Sequence, residues 1–202
     1  MILKCDSDKL EDYLIETEDI NYSHQSISEK ASELFMASIN ENDFVENAYT
    51  FVRDEISHSW DIQSSRITCR ASDVLFYKEG ICYAKSNLLC ALLRSKGIPT
   101  GFCYQKLTLG DTPDTGYCMH ALNAVYFTSL GRWIRLDARG NKAGVHAAFS
   151  LTEEKLAFVV RPEYDEADYL QIYKLPNAKT MDALKGHADG MNMYLHGLPD
   201  SL

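Results

Sequence analysis

The stretch GICYAKSNLLCALLRSKGIP, residues 80–99, places one cysteine at the start of a well-marked helix. Its leucines recur at the three- and four-residue spacing of a helix with one buried face, and Gly97 and Pro99 supply a stop. Cys82 therefore lies in or beside the first turn. The unpaired N–H groups and the positive dipole end of a helix stabilise a thiolate, which is the setting of a nucleophile. Burial as a small apolar side chain is the alternative.

The composition is that of an ordinary globular chain. Of its 202 residues, 46% are hydrophobic and 24% are charged, so we expect a single domain over residues 1–202. The start, MILKCDSD, lacks the regions of a secretory signal, and no apolar run is long enough to cross a bilayer. We therefore expect a cytoplasmic protein with no membrane partner. The six cysteines form no C-x-x-C pair, and we expect no metal and no cofactor.

The net charge of −9 belongs to the first part of the chain. Residues 1–60 carry fourteen Asp and Glu against four Lys and Arg, whereas residues 61–202 carry fifteen against sixteen. Nucleic-acid-binding proteins show clustered basic charge instead. The distribution argues against a nucleic-acid partner and indicates a solvated acidic face.

Helical patterns dominate the residues before Cys82. A capping box at residues 26–29 opens one predicted helix, a second runs from Phe44 to near His58, and a short third covers residues 71–77. The polar segment from Ser59 to Thr68 is predicted as a loop. Residues 1–44 are predicted as a helical arm outside a recognisable core of about residues 45–140.

The period changes after Pro99, where strands are predicted. Residues 117–127 and a strand from Trp133 form a hairpin, and pairing of Phe127 with Arg132 would put Asp137 diagonal to His120 on one face. Diagonal neighbours lie roughly 7–8 Å apart at the backbone, within reach of a carboxylate and an imidazole. Near the C-terminus, residues 177–186 predict a helix before a fraying tail, without a chemical motif.

A cysteine nucleophile needs a base, and the base needs a group that fixes its tautomer. Cys82, His120 and Asp137 supply these roles in chain order. Of the six histidines, only His120 lies on a predicted core strand whose partner presents an acid. The alternatives are a hydrogen-bonded core histidine at 120 and a salt bridge from Asp137 to Arg135 or Arg139.

Three ordered segments, GICYAKSNLLCALLRSKGIPTGFC, MHALNAVYF and RWIRLDARGN, resemble the core of the transglutaminase-like superfamily, within the larger papain-like cysteine-enzyme fold. The resemblance implies an α+β fold, in which a thiol-bearing helix packs on an antiparallel sheet. It matches Cys82 to the nucleophile, His120 to the base and Asp137 to the orienting acid. Leu122 stands where many relatives have an aromatic residue. The chain has no room for the β-sandwich domains of the animal enzymes, so calcium dependence is not expected.

The resemblance implies acyl transfer through a thioester on Cys82, with hydrolysis of a peptide, protein or small amide as the expected reaction. Transfer of the acyl group to an amine is the alternative, as in a transamidase or an arylamine acetyltransferase. A third possibility is an inactive binding module of the same fold. The Cys82 backbone N–H is expected to be one oxyanion donor, and the side chain of Gln63 or Trp60 the second. The oligomeric state stays open.

Overall fold

The computed structural model describes residues 3–110 and 112–202, which form helices packed on one main sheet. Helices α1 to α6 span Gln25–Met36, Glu41–Glu55, Ala71–Tyr77, Cys82–Arg94, Ala178–Gly186 and Gly190–His196. Strands β1 to β7 span Lys4–Cys5, Ser57–His58, Glu79–Gly80, Thr100–Thr108, Tyr117–Phe127, Arg132–Leu136 and Ala167–Tyr173. Short 3-10 helices lie at Leu10–Leu14, Pro113–Thr115 and Pro162–Tyr164. No helix in this part of the chain is long and apolar enough to cross a membrane.

The main sheet has the strand order β1, β7, β4, β5, β6. Neighbours from β7 to β6 are antiparallel, whereas β1 adds to β7 in parallel, so the sheet is mixed at one edge. In the β5–β6 hairpin, Phe127 pairs with Arg132 and Asn123 pairs with Leu136. The predicted register is therefore confirmed, and Asp137 follows directly after the end of β6.

Helix α4 is the buried centre of the molecule. Every residue from Cys82 to Arg94 is buried, and the helix begins at Cys82 as its sequence predicts. The Tyr83 hydroxyl donates a hydrogen bond of 2.7 Å to the Met119 carbonyl of β5. One turn later, the Asn123 amide of β5 donates to the Ser86 carbonyl at 3.2 Å. These bonds fix the thiol-bearing end of α4 against the strand that carries His120.

The end of α2 differs from its prediction. The helix stops at Glu55, and His58 belongs instead to β2, which pairs in parallel with β3 and places His58 beside Gly80. The Lys85 ammonium donates to the Ile56 carbonyl just past the helix, and the Ser59 N–H donates to Gly80. The predicted end of the helix was wrong because these partners lie more than twenty residues away in sequence, and the local pattern carries no information about them.

The N-terminal residues also differ from the predicted helical arm. Strand β1 pairs with β7 near the other end of the chain. Tyr13, Ile20 and Ile27 are fully buried, and they join clusters that include residues of α4 and of the sheet. Because these side chains complete the core, residues before 45 belong to the packed body of the fold.

Gly101 lies where β4 passes close to β7. A Cβ atom there would stand 2.5 Å from Ile172 Cγ2 and 2.9 Å from the Tyr173 carbonyl oxygen. Since the paired backbone of β7 cannot yield easily, we expect Gly101→Ala to lower the free energy of unfolding by about 1–3 kcal/mol. Gly186→Ala, at the end of α5 with open space around it, is the matched control and should change stability by under about 1 kcal/mol. Urea denaturation measures the stability of both variants. A Gly101→Ala variant as stable as the wild type would contradict the close approach of β4 and β7.

Candidate active site

His120 and Asp137 meet at the open end of the β5–β6 hairpin. His120 Nε2 lies 2.8 Å from Asp137 Oδ2, and both side chains are almost completely buried. Burial on its own raises the pKa of Asp137, but the charge and hydrogen bond of His120 outweigh it and hold that pKa below its ordinary value. An ionised carboxylate only accepts hydrogen bonds, so Nε2 carries a proton toward it. The ring nitrogen left for chemistry is Nδ1.

Two backbone amides hold the Asp137 carboxylate in place. The Arg139 N–H donates to Oδ1 at 3.1 Å, and the Ala157 N–H donates to Oδ2 at 3.0 Å. Both oxygens are therefore occupied by donors from fixed backbone. This arrangement fixes the orientation of the carboxylate and, through it, the orientation of the His120 ring.

The alternative of a salt bridge from Asp137 to a neighbouring arginine does not describe the structure. The Arg135 guanidinium is fully buried and pairs with Glu154 and Asp168. The Arg139 guanidinium pairs with Asp61, so only the backbone of Arg139 reaches the Asp137 carboxylate. The ionisable side chain that binds the Asp137 carboxylate is therefore the His120 imidazole.

Cys82 and His120 line one cavity of about 450 Å³. Cys82 is the first residue of α4 and 9% exposed, so its sulfur is shielded but open to the cavity. Burial lowers the pKa of His120, but the Asp137 carboxylate and then the charge and hydrogen bond of Cys82 outweigh burial and raise that pKa. The thiol, the imidazole and the carboxylate thus form one connected group.

Aromatic rings form the walls of this cavity. The Phe158 ring meets His120 edge to face, with 5.0 Å between ring centroids. On another side, Trp60 lies flat on Tyr194 at 4.1 Å. The Phe158 ring covers the imidazole and limits its rotation, whereas Leu122 is buried in a separate cluster and does not line the cavity.

The predicted oxyanion donors have different outcomes. Cys82 begins α4, where the first backbone N–H groups of a helix have no partner within the helix. Trp60 lines the cavity. Gln63 is exposed outside it, with φ of 53°, and its amide donates to the Trp60 carbonyl at 2.6 Å. The expectation for Gln63 is corrected because a tight turn points its amide back onto its own loop.

The C-terminal tail, predicted to carry no chemistry, forms part of the cavity wall. Helix α6 begins with the Gly190 N–H bonded to the Ser65 carbonyl at 2.7 Å, and this contact sets Tyr194 against Trp60. Asp189 caps α6 by accepting from the Asn192 N–H. The capping residue is a sequence signal for a helix at this position. The local sequence does not show that this helix covers the cavity.

A family model described as the transglutaminase-like superfamily matches residues 17–138, more than half of the chain. The chain belongs to the transglutaminase-like superfamily. The matched range contains Cys82, His120 and Asp137, and it also takes in helix α1. The α+β fold, with α4 packed on the sheet, is the fold expected of this superfamily.

One solved structure supports the same fold, and two others show a weaker similarity. A candidate cysteine protease from Cytophaga hutchinsonii is 19% identical with a TM-score of 0.53, over 66% of this chain and 43% of that one. The periplasmic domain of TgpA from Pseudomonas aeruginosa is 16% identical with a TM-score of 0.46, over 62% and 45%. A structure described as a TGase is 16% identical with a TM-score of 0.40, over 77% and 43%. The chain spans less than half the length of these structures, and no curated protein matches it.

Proposed function

We propose that this member of the transglutaminase-like superfamily hydrolyses a peptide or other amide bond through a thioester on Cys82. The observation that supports the proposal most is the position of His120. Its ring is bonded to Asp137 on one side and shares the cavity and an electrostatic interaction with Cys82 on the other. A thiol, a base and an orienting acid in this order are what nucleophilic catalysis requires.

Each residue has one role in the proposed reaction. His120 Nδ1 takes the thiol proton, and the Cys82 sulfur attacks the carbonyl carbon to form a tetrahedral intermediate. As this collapses, the bond to nitrogen breaks and His120 gives its proton to the departing amine, leaving the thioester. Water then attacks the thioester with His120 as base, which releases the acid and the free thiol. Asp137 orients the ring and stabilises its charged form throughout.

Charged side chains in the cavity wall favour water as the acceptor. Arg139, Lys142, Arg161 and Glu166 all line the cavity that holds Cys82. Transfer to an amine requires a site that excludes water from the thioester, and walls that carry ionic groups retain water instead. We therefore propose hydrolysis as the main outcome.

The activated ester p-nitrophenyl acetate tests the reaction directly. We expect a rapid release of p-nitrophenol, an acetyl adduct on the peptide that contains Cys82, and its slow loss to water. Hydroxylamine added at increasing concentration competes with water, so dominant formation of the hydroxamate at low concentration would indicate amine transfer. Absence of an acetyl adduct on Cys82 would contradict the proposed function and favour a binding module.

The pH dependence of alkylation tests the pairing of Cys82 with His120. The raised pKa of His120 keeps its ring protonated at neutral pH, and a positive charge beside the sulfur favours the thiolate, so we expect iodoacetamide to alkylate Cys82 faster at pH 6 than the other cysteines. In His120→Ala, the rate at pH 6 should fall about ten- to hundredfold and rise with pH like that of an ordinary thiol. Peptide-resolved mass spectrometry separates Cys82 from the other five cysteines.

The control for this measurement is His146→Ala, which removes an exposed histidine that does not line the cavity. Its alkylation profile should match that of the wild type. An identical profile in His120→Ala would show that His120 does not activate the thiol.

A further inference from the structure

His58 is a second histidine at the cavity, and the steps above give it no role. Pairing of β2 with β3 places it beside Gly80, two residues before Cys82, and its side chain lines the cavity with Cys82 and His120. The residue is only 6% exposed. Its Nδ1 atom is buried and has no hydrogen-bond partner among residues 3–110 and 112–202. A buried polar atom without a partner is costly, so this ring calls for an explanation.

The surroundings of His58 favour the neutral ring. Burial lowers its pKa well below the ordinary value, and the Arg139 guanidinium lowers it further. The Asp61 carboxylate acts in the opposite direction, but it is already bonded to Arg139 and Lys142. The remaining groups that face the ring are Lys85, His120 and Tyr194.

A neutral imidazole carries one proton, on either ring nitrogen. At Nδ1 that proton would be a buried N–H donor with no acceptor, and such orphaned donors are rarer in proteins than unpaired acceptors. The lower-energy tautomer therefore carries its proton on Nε2. Backbone pairing fixes His58 next to the nucleophile and the residue lines the cavity, so a proton on Nε2 would be available there as a hydrogen-bond donor.

The geometry points to His58 as the second oxyanion donor, with its Nε2–H bonded to the substrate oxygen opposite the Cys82 backbone N–H. This inference rests on the proposed function. When the Cys82 sulfur bonds to the carbonyl carbon, the carbonyl π electrons move onto oxygen, and the two donors stabilise the charge that develops there. His58 keeps its proton throughout, and His120 alone transfers protons. A donor that stays neutral does not compete with His120 for the proton of the thiol.

His58→Phe tests this role with two reagents that both react with Cys82, of which only one forms an oxyanion. Acylation by p-nitrophenyl acetate passes through an oxyanion, whereas alkylation by iodoacetamide displaces iodide and forms none. We expect His58→Phe to slow acylation about 10²–10³-fold and to leave the alkylation profile unchanged. His58→Gln retains an N–H donor and should recover part of the acylation rate. His146→Phe makes the same change at an exposed site outside the cavity and should match the wild type.

The outcomes separate this inference from the proposed function. If Cys82 is acylated in the wild type and equally fast in His58→Phe, the inference about His58 is overturned while the proposed function stands. A parallel loss of acylation and alkylation would overturn it too, because His58 would then only position the thiol. Nitrogen NMR of labelled histidine should show His58 neutral with its proton on Nε2 from pH 6 to 8, and a proton on Nδ1 would overturn the inference whatever the turnover. Absence of Cys82 acylation in the wild type would remove the proposed function, and with it this role.

Discussion

Cys82→Ala is expected to reduce acyl transfer on the order of 10⁶-fold, because it removes the atom that bonds to the carbonyl carbon. The change deletes one sulfur at the surface of the cavity, and the first turn of α4 keeps its backbone bonds. The variant should therefore fold normally. Turnover of p-nitrophenyl acetate, with the acetyl adduct located by mass spectrometry, measures the effect.

Cys118 provides a demanding comparison because it is the other cysteine at the cavity. Burial raises the pKa of its thiol to about 12, and the Cys82 charge adds to that effect. A protonated thiol is a poor nucleophile, so Cys118→Ser should retain most of the acylation. Loss of acylation in Cys118→Ser with retention in Cys82→Ala would reverse the assignment of the nucleophile.

Asp137→Asn is expected to lower turnover about 10⁴-fold with the fold preserved. The carboxylate accepts hydrogen bonds on both oxygens, from His120 and Ala157 on one and from Arg139 on the other. Asparagine has one oxygen, so its NH₂ group must face one of these donors. If it faces His120, the ring proton moves from Nε2 to Nδ1, and the nitrogen that should accept the thiol proton is blocked.

Asp165→Asn is the matched control, since it makes the same change at a surface carboxylate paired with Lys106. Its turnover should equal that of the wild type. Circular dichroism and urea denaturation check that Asp137→Asn is folded when its activity is measured. Equal turnover in a folded Asp137→Asn would remove Asp137 from the mechanism.

The sequence could predict the geometry around Cys82 and His120 because both depend on local pattern. The leucine spacing and the Gly97 stop define α4 within one segment. The hairpin register follows from a four-residue connection between two strands, so the pairing of Phe127 with Arg132 already determines where Asp137 lies. In each case the controlling interactions join residues that are close in the chain.

Nonlocal contacts explain what the sequence did not predict. The sequence pattern predicts a helix that runs to near His58. In the structure, two carbonyls at the end of α2 accept hydrogen bonds from the Lys85 ammonium, and His58 lies in β2, which pairs with β3. Gln63 carries an amide N–H group that could serve as an oxyanion donor, but the turn conformation of its own loop directs this amide to the Trp60 carbonyl. In both cases a backbone interaction decided where the side chain points.

The sequence by itself determined the helix that presents Cys82, the hairpin that presents His120 and Asp137, and the superfamily to which the chain belongs. The tertiary structure decided the aromatic walls of the cavity and the position of His58, because these come from segments more than twenty residues from Cys82 in sequence. Burial and charge act through space, so the state of a titratable group depends on which distant side chains pack around it. Local spacing can place a nucleophile at a helix end, but only packing sets what surrounds it.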